Sequence, residues 1–98
     1  MDCSFENDDL EKLETAPDFS GGYSSAVVKA FRKRMQQIRA AVDERTFYAL
    51  KSLRFEKLKG KRSHQHSMRL NDQYRLILEI EPSSKANKIK IINIEDYH

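Results

Sequence analysis

The strongest constraint on the fold is a change of hydrophobic period partway along the chain. Val28, Phe31, Met35, Ile38 and Val42 recur at steps of three or four, which is the stripe of an amphipathic helix. Further on the step becomes two. Tyr74, Leu76, Leu78 and Ile80 share one strand face, while Gln73, Arg75, Ile77 and Glu79 share the other. Helices in the first half and strands in the second predict an α+β class, with the helices covering one face of a small antiparallel sheet. The 98 residues are enough for a single domain, 1–98, with one modest core.

Capping and turn chemistry set the expected boundaries. Cys3-Ser4-Phe5 suits a very short opening strand with Phe5 directed inward. Asn7 is a good N-cap, and Asp8 and Asp9 follow where the helix dipole favours anions. A short helix through Leu10 and Leu13 should stop before Pro17, and Ser20-Gly21-Gly22 is a joint too short to separate domains. Ser24 or Ser25 then caps the longest helix, expected over 25–44, with Lys29, Arg32, Lys33 and Arg39 largely off its stripe, where they can grip phosphates or, the better expectation for most of them, solubilise the helix. Phe47, Leu50 and Leu53 add a helical turn, and Gly60 lets the backbone turn or approach a ligand. Residues 66–70 read as a strand, Asn71-Asp72 as the turn of a tight hairpin, 73–80 as its partner and 88–95 as a last, isoleucine-rich strand.

The net charge of +3 conceals an uneven distribution. Residues 1–22 carry seven acids against one lysine, 23–75 carry fourteen Lys or Arg against four acids, and 76–98 carry three lysines against four acids. The cationic middle suits a polyanion, with nucleic acid the default candidate. The single cysteine, Cys3, excludes an internal disulfide and fits a reducing compartment. No apolar run approaches the roughly 18 residues of a membrane span, and the acidic N-terminus is wrong for a signal peptide. A cytoplasmic protein with no membrane contact is expected.

Titratable and cationic side chains are densest in Leu58-Lys59-Gly60-Lys61-Arg62-Ser63-His64-Gln65-His66-Ser67-Met68-Arg69-Leu70-Asn71-Asp72-Gln73-Tyr74-Arg75 and in Glu95-Asp96-Tyr97-His98. Such groups suit chemistry on a phosphodiester, with cations for the charge and acids and bases for the protons. His64 and His66 would share a strand face, which invites a metal reading, but no further Cys or His lies near in sequence. Exposed or RNA-contacting histidines are the better expectation, and no metal or other cofactor is expected. Cys3 lacks any local nucleophile motif.

The run Leu58-Lys59-Gly60-x-Arg62, then Ser67 to Arg75, then Glu95-Asp96-Tyr97-His98, resembles the HigB-type toxins of the RelE/ParE toxin–antitoxin superfamily, also called plasmid maintenance killer proteins. The resemblance covers roughly the last forty residues as an ordered series of motifs. It implies a RelE-like fold of two N-terminal helices packed on one face of a small antiparallel sheet. It also implies a metal-independent, ribosome-dependent mRNA endoribonuclease that uses attack of the RNA 2′-hydroxyl on the adjacent phosphate. Carried over by position, Lys59, Arg75, Asp96, Tyr97 and His98 are the catalytic candidates, and Lys57, Lys61, Arg62, His64 and Arg69 are the candidates for gripping RNA. The implied partners are a cognate HigA-like helix-turn-helix antitoxin, the ribosome and mRNA, with operator DNA reached only through the antitoxin. Alternatives on the same scaffold are a ParE-like gyrase inhibitor without enzymatic activity and an inactive RNA-binding relative. The chain departs from the family at two places: Glu56 stands where one branch has a histidine, and Lys61 stands where Asp is frequent.

Overall fold

The computed structural model describes residues 1–96. The elements run β1 (Cys3–Phe5), α1 (Asp8–Thr15), α2 (Ser25–Ala40), α3 (Arg45–Ala49), β2 (Glu56–Lys57), β3 (His66–Arg69), β4 (Tyr74–Glu81) and β5 (Lys88–Asp96), with short 3-10 turns at Lys51–Leu53 and Gly60–Arg62. The five strands form one sheet in the order β1-β5-β4-β3-β2. Neighbours are antiparallel except at one edge, where β1 lies parallel to β5 with Cys3 opposite Ile89 and Phe5 opposite Ile91. Among the described residues no helix is long and apolar enough to cross a membrane.

The caps act as their sequence predicts. The Asn7 side chain accepts from the Leu10 N–H at 3.0 Å, and the Ser24 hydroxyl accepts from the Val27 N–H at 3.3 Å. Phe31, Met35 and Ile38 of α2 are fully buried against Leu76 and Leu78 of β4 and Ile89 and Ile91 of β5. One expectation fails at the end of α2. The helix stops at Ala40 rather than residue 44, because Ala41 is extended (ψ 142°), and Val42 is thrown outward to 81% exposure. The hairpin between β3 and β4 is also wider than expected. The Asn71 side chain accepts from the N–H groups of Gln73 and Tyr74, so the turn is held by an Asx arrangement across four loop residues, 70–73, rather than by a tight two-residue link.

A bulge in β5 sets the orientation of its far end. Ile77 pairs with Asn93 while Leu78 pairs with Ile91, which leaves Ile92 as the extra residue. Strict alternation from Ile89 and Ile91 would drive Asn93 and Glu95 into the core. The extra residue reverses the phase, so Ile94 is buried and Glu95 lies opposite Arg75 on the face away from the helices.

Candidate active site

That second face is not bare. Residues 58–65 fold over it, closed by a Leu58 N–H to Gln65 carbonyl bond of 2.9 Å, with Gly60 in the left-handed region (φ +66°) at the bend. Beneath the loop Ile77 and Ser67 are buried. Leu58, Arg62, Ser67, Arg75, Ile77, Glu95 and Asp96 line a pocket of about 220 Å³.

Arg75 is the centre of this arrangement. Its side chain is 17% exposed, and Nη1 donates to the Ser67 hydroxyl at 3.2 Å and lies 3.9 Å from Glu56 Oε1. Glu56 reaches it because β2 pairs with β3 in the register Glu56 opposite Ser67. Glu95, across from Arg75 in the sheet, accepts two bonds from Arg62 at 3.1 and 2.6 Å, and that carboxylate raises the Arg62 pKa. Asp96, opposite Tyr74, accepts from Gln73 Nε2 at 3.2 Å and reaches the same pocket.

The predicted site residues divide into groups. Arg75 and Asp96 come together, with Arg62 on the same wall. Tyr97 and His98 lie outside the described residues. Lys59 is exposed immediately before the 3-10 turn that carries Lys61, and neither side chain lines this pocket. Arg69 bonds to Asp72 at the hairpin. Lys57 pairs with His66 on the opposite side of the sheet from Glu56 and Ser67, and so is turned away from Arg75.

The two histidines part company. His64 Nε2 lies 3.8 Å from Glu79 Oε2, while His66 stacks on Phe55 with ring centroids 4.9 Å apart and planes 8° from parallel. The expectation of a shared face therefore fails, because His64 lies in the loop before β3 rather than in the strand. Among the described residues no three His, Cys, Asp or Glu side chains gather as a metal-ligand group. Burial, reinforced by Lys57 and opposed by Glu44, lowers the His66 pKa. Sequence reasoning missed Ser67, whose buried hydroxyl takes the Arg75 bond. Its position opposite Glu56 is visible only once β2 is recognised as a strand.

The family model of HigB-like toxins, described as RelE-like toxin of type II toxin-antitoxin system HigB, matches residues 3–98. The chain belongs to the HigB-like toxin family. This HigB-like chain shares its fold with the YoeB/ParE toxin from Agrobacterium tumefaciens, at TM-score 0.63 and 14% identity over 100% of both chains. It is similar to a chain of the YoeB-YefM complex from Staphylococcus aureus, at TM-score 0.63 and 20% identity, covering 100% of this chain and 97% of that one. The YoeB dimer from Staphylococcus aureus gives a TM-score of 0.54 at 20% identity over the same shares. No curated protein sequence matches at a significant level. The HigB-like chain is thus a toxin of a type II toxin–antitoxin system with the RelE/YoeB-like fold.

Proposed function

We propose that this toxin is a ribosome-dependent endoribonuclease that cuts mRNA through the RNA's own 2′-hydroxyl. The observation that carries the reading is the position of Arg75, which lines one pocket with Asp96 and lies 3.9 Å from Glu56. Cleavage of this kind moves a proton from the 2′-hydroxyl to a base as the 2′-oxygen bonds to phosphorus. The P–O bond to the 5′-oxygen then breaks, leaving a 2′,3′-cyclic phosphate and a protonated 5′-hydroxyl.

The Arg75 guanidinium, held by Ser67, is suited to the equatorial oxygens of the phosphorane, where its planar donors and permanent charge stabilise developing negative charge. Glu56, 3.9 Å from that guanidinium, takes the position of the base. Lys59, exposed on the loop and outside the lining of the pocket, enters through the family resemblance as a second cation. Tyr97 and His98 enter through the family resemblance, His98 as the acid that protonates the leaving oxygen and Tyr97 as a stacking or donor group, with Asp96 orienting them. Lys57, Lys61, Arg62, His64 and Arg69 are assigned to the surrounding RNA. The activity resides in one domain, 1–98, needs no cofactor and works in the cytoplasm. A cognate HigA-like helix-turn-helix antitoxin silences it and carries any contact with operator DNA. Family membership and the solved complex of a YoeB relative with YefM support a partner of this kind.

The test is to map RNA ends after a pulse of expression. Cuts inside coding regions at ribosomal A-site codons, absent for Arg75→Ala, are expected. Intact mRNA with loss of DNA supercoiling would replace this reading with a ParE-like gyrase inhibitor. Intact mRNA with normal supercoiling would leave an inactive RNA-binding relative.

A further inference from the structure

Arg75 also lines a second pocket, of about 310 Å³, which shares no other lining residue with the pocket under the Leu58 loop. Its remaining walls are Ser52, Arg54, Arg69, Asn71 and Asp72. Three arginines and one carboxylate therefore line it, and the pocket is of ligand size. We propose that it is a phosphate subsite for the nucleotide flanking the one that is cut, with Arg54 and Arg69 as its anchors. The inference rests on the reading of the toxin as a nuclease.

Four independent features of the pocket point to an anion. Arg54 caps the 3-10 turn in a left-handed conformation (φ 48°, ψ 50°), the only non-glycine residue with positive φ among those described. Glycine or asparagine fits such a position with less strain, so an arginine sits here against the preference of its backbone. Among the described residues Arg54 has no ion-pair partner, whereas the exposed arginines 39, 45 and 62 each have one. Arg69 is held only by Asp72, which is 99% exposed, and an exposed pair of this kind is readily exchanged for a phosphate.

The fourth feature lies behind the wall. Arg34 of α2 is buried, and its Nε donates to the Arg69 carbonyl at 2.7 Å while Nη2 reaches the Leu70 carbonyl at 3.4 Å. It stiffens the strand end that carries Arg69 and places a further positive charge close to it. A phosphate here and a phosphate in the Leu58-side pocket would share the Arg75 guanidinium between them. The two pockets thus track successive phosphates of one strand, the arrangement by which proteins hold single-stranded nucleic acid.

The test uses the intact protein and d(ApA) dinucleotides, which lack the attacking 2′-hydroxyl and so stay whole. Three forms are titrated, with a 5′-phosphate, a 3′-phosphate or neither, following the Arg54 and Arg69 Nε–H resonances; inorganic phosphate is titrated alone. One terminal phosphate should tighten binding about tenfold at low salt and lose that gain as salt rises. The gain should vanish in Arg54→Gly, which relieves the left-handed backbone and should melt no lower than wild type, and in Arg69→Gln. A gain of zero in wild type, or an equal gain in both variants, overturns the subsite. So does inorganic phosphate binding as tightly as the phosphorylated dinucleotide, which would mark a free-anion site. A terminal-phosphate gain without mRNA cuts in cells sinks the nuclease reading and leaves the subsite; cuts without the gain do the reverse.

Discussion

At the scale of single residues, the proposed chemistry turns on two side chains 3.9 Å apart, Arg75 and Glu56. Arg75→Ala should lower the rate of cleavage on programmed ribosomes by about 10²–10³ while leaving the circular dichroism spectrum intact. Arg75→Lys should restore little, since a point charge cannot reproduce the planar fork that spans Ser67 and a phosphate. Glu56→Gln should cost about 10²-fold or more if the carboxylate is the base, whereas Glu56→His should retain activity and move the lower limb of the pH–rate profile toward neutrality. An unaltered rate in Glu56→Gln would transfer the base to another group. Arg75 and Asp96 were legible in the sequence because ordered motifs carried them. Ser67 was not, since a serine in a strand signals nothing until its partner across the sheet is known.

At the scale of elements, the two apolar periods located the helices and strands, and the caps at Asn7 and Ser24 were readable to the residue. The orientation of the end of β5 was harder to see. Its isoleucines at 89, 91, 92 and 94 change step between 91 and 94, and this break in alternation is the signature of the bulge that turns Glu95 outward. The early stop of α2 was also hidden, because Val42 keeps the helical spacing while the backbone at Ala41 has already left the helix. Arg34 was invisible as a structural residue; in a helix rich in cations it looks like one more solvated charge. Its replacement by Leu should strip two carbonyls at the β3–β4 hairpin of their donor and cost about 1–3 kcal/mol for each that stays buried and unpaired. Urea unfolding should show a lowered midpoint with an unchanged slope.

At the scale of the whole molecule, the layered α+β arrangement followed from the order of the two periods, because helices that precede an antiparallel sheet have one face to cover. The parallel edge did not follow. Three residues at 3–5 carry no mark of the strand they will join, and β1 finds its place only against β5. Stability should also depend on pH through His66. Its pKa is lowered in the folded state by burial and by Lys57, so as pH falls past about 6.5 the unfolded chain takes up the proton first. Stability is therefore full above that value and declines as pH drops through the lower folded-state pKa. His66→Phe, which keeps the stack on Phe55, should flatten this part of the curve in melting experiments between neutral and mildly acidic pH.

The placing of β5 between β1 and β4 has a consequence for biosynthesis. Residues 88–96 supply both the partner that β1 must meet and the two acids beside Arg75. Until that segment has cleared the exit tunnel, the nascent polypeptide has neither a closed sheet nor a finished pocket. The pocket around Arg75 is therefore the last part of the molecule to be assembled, whatever the order in which the helices and earlier strands form.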